Sequence, residues 1–283
     1  MKKLIFNNRQ TDDARTGQEK LGKRDAQENL AICDSINFAA SEAYKRLRTN
    51  LLFSFADKNA CRIVSVTSSL RGEGKSVTSI NLAYTMAQNG KRVLLIDCDM
   101  RLPTVAKKLE IEKTPGLSNL LVGVDEINKS VQRYFSEKTG DFFDVIPAGE
   151  LPPNPAELLG SARMGTLLNA LKEHYDYIFL DLPPVCAVAD ALIVSKLSDG
   201  MIVVVRQDYC RTDVLREAME QLKLVEANII GFVYNGTEAY GGKYGKYGKY
   251  GRYGKYGRYS RYYSKNYGNY YKTPESYEAA EQK

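Results

Sequence analysis

The chain has 283 residues, 43% of them apolar, which suffices for one sizeable α/β domain with polar extensions. Its formal charge is +6, yet residues 241–272 hold nine Lys/Arg and no Asp or Glu, so taking that +9 away leaves −3 for the remainder. This excludes a nucleic-acid-binding face on the fold itself. The cysteines (Cys33, Cys61, Cys98, Cys186, Cys210) are scattered with no Cys-x-x-Cys pair, and His174 is the single histidine, which excludes a zinc site and a disulfide framework and suits a reducing cytoplasm.

In chain order, residues 1–36 are polar and charged with little periodicity, and read as a mobile arm. The opening MKKLIFNNRQ has two lysines but no apolar run behind them, so it is not expected to be a signal peptide. No apolar stretch anywhere approaches the roughly 18–20 residues of a membrane span. Membrane association is therefore expected only through a partner, from the cytoplasmic side.

Residues 37–236 alternate short apolar runs with amphipathic stretches. Strands are predicted at Arg62–Thr67, Val93–Asp97, Phe142–Ile146, Tyr177–Asp181, Met201–Val205 and Ile229–Tyr234. Their Val/Ile-rich, unalternating character fits parallel strands covered on both faces. Helices are predicted at Ser41–Phe55, Lys75–Asn89, Ala156–Tyr175, Ala187–Leu197 and Thr212–Val225. Strand alternating with helix predicts an α/β fold, a doubly wound and mostly parallel sheet of P-loop NTPase type.

Residues 237–283 are different in kind. Seven glycines between Gly241 and Gly257 would each cost a helix about 1 kcal/mol relative to Ala, and no apolar stripe offsets that, so a disordered tail is expected. Thirteen of the chain's 20 tyrosines lie there, and Tyr244, Tyr247, Tyr250, Tyr253, Tyr256, Tyr259 and Tyr262 recur at every third position between basic residues and glycines. No packed core requires that pattern. It describes a surface to be touched or modified.

The chemistry-bearing residues cluster at predicted strand ends. Ser69-Leu-Arg-Gly-Glu-Gly-Lys-Ser76 follows a strand and opens a helix, ending in the Gly-Lys-Ser of a P-loop, with Ser69 where the first glycine usually stands. In such a loop backbone N–H groups over Ser69, Arg71, Gly72, Glu73, Gly74, Lys75, Ser76 and Val77 cradle phosphates, the lysine reaches the β/γ oxygens, and the serine hydroxyl ligates Mg²⁺. Asp97 and Asp99 stand two residues apart at the end of one strand, hence on one face. Asp181 ends another, as in a Walker-B segment, with Pro183 and Pro184 stopping the strand behind it. Ligand sites of open α/β sheets lie at this carboxyl edge. Arg101 and Arg206 follow strands on the same edge, where they contact either phosphate or acidic partners.

Together these motifs resemble those of the bacterial tyrosine kinases, in particular the Gram-positive type encoded with capsule or exopolysaccharide genes, over roughly residues 36–272. Asp97-x-Asp99-x-Arg101 resembles that family's second Walker-A-like motif, Phe179–Pro184 its Walker B, and the tyrosine array its autophosphorylation cluster. The resemblance implies ATP-dependent phosphorylation of tyrosine, with Lys75 on the phosphates and Ser76, Asp99 and Asp181 holding Mg²⁺. Asp97 is then the candidate to orient or deprotonate the acceptor phenol, Asp99 the alternative.

Glu42, Lys45 and Arg48 resemble the family's E-x-x-R-x-x-R oligomerisation motif, with Lys45 in place of the middle arginine, and imply a ring-like homo-oligomer. Asn235 either reads the adenine edge, as in related deviant P-loop ATPases, or opens an Asn-Gly turn. The resemblance further implies a transmembrane activator, protein tyrosine substrates and an opposing phosphotyrosine phosphatase.

Two rivals remain at this point. A partitioning or division-site ATPase of the same P-loop class would be a switch, but its signature lysine position is Leu70 here. A module gripping nucleic acid or another polyanion through the tail would use charge and stacking, and nucleic acid is the less expected partner.

Overall fold

The computed structural model describes residues 32–55 and 60–236. Most of the polar arm and the whole segment 237–283, with its seven regularly spaced tyrosines, lie outside the described residues.

A 3-10 turn over Cys33–Ser35 leads into α1 (Phe38–Ser54), which Asn37 caps by accepting the Ala40 N–H at 2.9 Å. The chain then runs through β1 (Arg62–Ser68), α2 (Lys75–Ala87), β2 (Val93–Asp97), α3 (Val105–Leu109), α4 (Leu117–Val122), α5 (Ile127–Ser130) and β3 (Gln132–Phe135). It continues with β4 (Phe142–Ile146), α6 (Pro155–Leu159), α7 (Ala162–Lys172), β5 (Tyr177–Asp181), α8 (Asp190–Ser195), β6 (Gly200–Arg206), α9 (Thr212–Leu224) and β7 (Ile229–Asn235).

The strands form one seven-stranded sheet in the order β3-β4-β2-β5-β1-β6-β7, parallel except for β3. The six predicted strands are all present. Central β1, β2 and β5 are almost wholly buried, as their unbroken apolar sequences require. One core packs α7, α8 and α9 on one face around Ile178, Leu180, Val203 and Leu222. The other packs α1, α2 and α3 on the opposite face around Val64, Val66, Ile80, Leu95 and Phe179.

Three sequence expectations need correction. Ala156–Tyr175 is two helices, broken at Gly160 and Ser161; a Cβ on Gly160 would sit 3.2 Å from Ile193 Cγ2, so the break lets α6 approach α8. The antiparallel edge strand β3 was not anticipated. Its burial alternates, and Arg133 in it forks onto Asp144 of β4 at 2.8 Å. Helices α3, α4 and α5 were also missed, each being too short to show a helical period.

Candidate active site

Sheet register builds the centre of the site. Asp97 of β2 lies directly opposite Asp181 of β5, and Asp181 lies opposite Val66 of β1. Three strand ends thus deliver two carboxylates and the start of the P-loop to one edge. All three carboxylates, Asp97, Asp99 and Asp181, are at most 1% exposed.

The loop between β1 and α2 is held by its own Glu73. This side chain is fully buried, and its carboxylate accepts the Leu70 N–H at 2.6 Å and the Arg206 N–H at 3.3 Å. Burial raises its pKa, and those N–H groups oppose the rise. Ser69 is buried beside Glu73 and Cys210. Gly72 and Gly74 adopt φ of +86° and +96°, a region where a side chain is strained, and a Cβ on Gly74 would collide with Asn235. Arg71 is exposed, and its carbonyl accepts the Tyr209 hydroxyl at 2.9 Å.

At the start of α2, Thr78 N–H bonds Gly74 O at 2.9 Å. The N–H groups of Ser76 and half-buried Val77, ahead of it, belong to the first turn of α2, which offers them no intrahelical acceptor. Lys75, one tenth exposed, donates to Asp99 Oδ2 at 2.9 Å and lies 3.4 Å from the Ser76 hydroxyl.

Asp97 does two things. Its carboxylate accepts the N–H groups of Asp99, Thr104 and Val105 at 3.1–3.2 Å, so it caps the start of α3. Burial, together with the neighbouring Asp181 and Asp99 charges, pushes its pKa up to about 8. Asp99 Oδ1 accepts the Leu102 N–H at 3.1 Å. Asp181 is raised by burial, against the pull of Lys75 and the Ser76 hydroxyl. Its Oδ1 accepts from Ser79 at 3.1 Å, while Oδ2 is buried with no hydrogen-bond partner.

That orphaned oxygen, beside the Ser76 hydroxyl and Asp99, fits a hard divalent cation. Among the described residues no cluster of three His, Cys, Asp or Glu forms a closed metal cage. Mg²⁺ needs none, since it keeps waters and takes one or two carboxylates plus substrate phosphates.

Other predicted residues fall elsewhere or act differently. Arg101 forks onto fully buried Asp190 at 3.0 and 3.1 Å, so its charge is engaged inside the fold. Arg206 donates to Gly72 O at 3.1 Å, bracing the P-loop. Asn235 Nδ2 donates to Glu73 O at 2.8 Å and its Oδ1 accepts the Gly236 N–H at 2.8 Å. Asn235 therefore sits on the P-loop rim and opens a turn as well. On α1, Lys45 pairs with Glu42 at 2.7 Å along the helix, and Arg48 donates to Thr85 O at 2.8 Å, fastening α1 to α2. Within one chain the three residues face different tasks.

Sequence reasoning missed Ser79, Asp190 and Tyr209. Ser79 stands one helical turn beyond Lys75, a spacing that could have flagged it. Tyr209 and Asp190 carried no local signal. Leu70 is 1% exposed and packs with Ala187, Val214 and Val188, so the signature-lysine position of the switch ATPases points into an apolar cluster.

Comparison with known proteins identifies the family. The AAA domain family matches residues 61–231. The chain is 39% identical over 196 residues to the tyrosine-protein kinase YwqD of Bacillus subtilis (strain 168), spanning 69% of this chain and 81% of that protein. It is 35% identical over 195 residues to the tyrosine-protein kinase CpsD of Streptococcus agalactiae serotype III (strain NEM316), spanning 69% and 81%. The solved kinase domain of the Escherichia coli tyrosine kinase ETK superimposes with a TM-score of 0.69 at 32% identity, covering 82% of this chain and 89% of that one. With a P-loop, a paired Asp97/Asp99 strand end and Asp181 on one sheet edge, the chain belongs to the bacterial tyrosine-protein kinases.

Proposed function

We propose that this kinase uses ATP and Mg²⁺ to phosphorylate the tyrosines of its own C-terminal segment, Tyr244 to Tyr262, in neighbouring subunits, and so regulates capsule or exopolysaccharide synthesis and export. The observation that carries the reading is the convergence of Lys75, Asp97, Asp99 and Asp181 on one edge of a chain that also bears the tyrosine array.

The chemistry follows from placement. The N–H groups at the start of α2 and the Lys75 ammonium hold the nucleotide phosphates, and Asn235 borders the adenine side. Ser76, Asp99 and Asp181 would hold Mg²⁺, which would supply charge neutralisation at the phosphates. A free phenol has a pKa near 10. Asp97, at the strand end directly opposite Asp181, is the carboxylate assigned to accept the phenol proton, with Asp99 as the alternative. Most of the rate comes from positioning and charge neutralisation.

The described residues end at Gly236, directly after the residue that clamps the P-loop. From there to Tyr253 a flexible chain would cover about 22 Å r.m.s.. A 200-residue domain has a radius of gyration of about 16 Å. That reach supports transfer to a neighbour's site, with Glu42, Lys45 and Arg48 contributing to the interface of a ring-like homo-oligomer. Each phosphotyrosine adds about −1.5 to −2 charges, so about five would cancel the segment's +9.

Among the described residues no helix is long and apolar enough to cross a membrane. By family resemblance a transmembrane activator recruits the kinase to the inner membrane face, and a phosphotyrosine phosphatase reverses its action.

The test mixes a full-length Lys75→Met chain with an active chain lacking residues 237–283, Mg-ATP and the activator's cytoplasmic segment. Phosphotyrosine should appear on the Lys75→Met chain. An active oligomer that leaves it unlabelled contradicts transfer between subunits.

A further inference from the structure

Lys108 is a charged group near the site that neither the motifs nor the mechanism uses. It lies on α3, the helix that begins where Asp97 accepts the Thr104 and Val105 N–H groups. Val105, Ala106 and Leu109 bury the inner face of that helix and fix its rotation. Lys107 is then exposed, whereas Lys108 is half-buried. Helical side chains tilt toward the N-terminus of their helix. Lys108 therefore leans back along α3 toward the end that Asp97 caps.

Its electrostatic neighbours agree with that direction. The Lys108 ammonium lies within electrostatic reach of Asp181 and Asp97 and is repelled by Lys75, while burial lowers its pKa from the ordinary lysine value. Despite this, it makes no hydrogen bond or ion pair among the described residues. A half-buried ammonium within electrostatic reach of Asp181, Asp97 and the P-loop lysine is placed for an anion that arrives with substrate. Lys75 approaches that anion from the P-loop. Lys108 approaches from α3, one turn beyond the Thr104 and Val105 N–H groups that bind Asp97, the carboxylate assigned to the acceptor phenol.

We propose that Lys108 contacts the transferred phosphoryl group from the acceptor side, acting as a second catalytic cation opposite Lys75. This rests on the kinase reading above. In the transfer, the phenol oxygen bonds to the γ-phosphorus as the bond from that phosphorus to the β–γ bridging oxygen breaks. The phenol proton passes to Asp97, and the electron pair leaves on the β-phosphate of ADP. Negative charge on the equatorial oxygens is greatest midway, so a cation there acts on turnover more than on ATP binding.

The experiment uses the full-length chain with its activator segment, Mg-ATP and, as acceptor, a peptide copying residues 244–256. Wild type must label the peptide, which separates failure of this proposal from failure of the kinase reading. Lys108→Met should lower kcat about 10- to 100-fold with KM for ATP within about threefold, by analogy with removal of a single transition-state donor. Lys108→Arg should recover most of the rate, and Lys107→Met should match wild type. Independently of turnover, Lys108→Met should weaken binding of ADP with aluminium fluoride about tenfold while leaving ADP binding unchanged, which a merely structural lysine would not do. A folded Lys108→Met chain with kcat within about twofold of wild type, or with ADP and ADP–aluminium fluoride weakened equally, overturns the proposal.

Discussion

Replacing Lys75 by Met is expected to lower phosphotyrosine formation about 10³-fold and, separately, to destabilise the fold. The first effect follows from removing the cation that faces the nucleotide's phosphates in a buried site, where one well-placed donor is worth about 10²–10³ in rate and a cation more. The second follows from the Lys75–Asp99 pair at 2.9 Å, whose side chains are only 10% and 2% exposed. Breaking a buried pair on one side costs about 3–5 kcal/mol, because the partner charge is left uncompensated. Here Asp99 would also face Asp97 and Asp181 without relief. The two effects separate in the double variant Lys75→Met/Asp99→Asn. Urea denaturation should show most of the stability restored, while phosphotyrosine formation stays as low as in Lys75→Met. A double variant no more stable than Lys75→Met would place the stability loss elsewhere than in the stranded carboxylate.

The second large effect is structural and lies at Arg101. Its guanidinium holds Asp190 through two parallel bonds, and the Asp190 carboxylate is fully buried at the start of α8. Arg101→Ala should cost about 3–5 kcal/mol, seen as a lower urea midpoint with an unchanged slope. Lysine cannot reproduce the fork, so Arg101→Lys should recover only part of that loss. ADP affinity of the folded Arg101→Ala chain should stay within about threefold of wild type, since the guanidinium is engaged with Asp190 and not with phosphate. A large loss of ADP affinity at unchanged stability would mean that Arg101 serves the nucleotide instead.

These two residues also show how far the sequence reaches. Lys75 was legible because its chemistry is local: a Gly-Lys-Ser turn between a strand and a helix. Asp97, Asp99 and Asp181 were legible for a related reason. Each ends an apolar run that is buried on both faces, and sheet physics puts ligands at that edge. Sheet register then did the remainder, setting Asp97 opposite Asp181.

What the sequence hid is long-range or half-buried. Arg101 and Asp190 are 89 residues apart, so nothing local announces their fork. Asp97 is readable as a strand-end carboxylate. Its second task, capping α3 through Thr104 and Val105, depends on a turn whose shape no periodicity encodes. Strand β3 escaped because Gln132–Phe135 alternates in burial and lacks an apolar run, pairing with β4 and packing only Tyr134 toward the core. Glu73 was expected to offer only its backbone to phosphate. Its buried side chain instead holds the P-loop in shape from beneath, through the Leu70 and Arg206 N–H groups.

The central claim is that this P-loop site transfers phosphate to tyrosine and does not merely hydrolyse ATP. The most direct test follows ADP and phosphotyrosine together in one reaction of the full-length chain with Mg-ATP and the activator's cytoplasmic segment. The account predicts that early turnovers release ADP nearly one for one with phosphotyrosine, and that the label maps to Tyr244–Tyr262. ADP release with no phosphotyrosine on the chain would contradict it and would identify the protein as a nucleotide-driven switch.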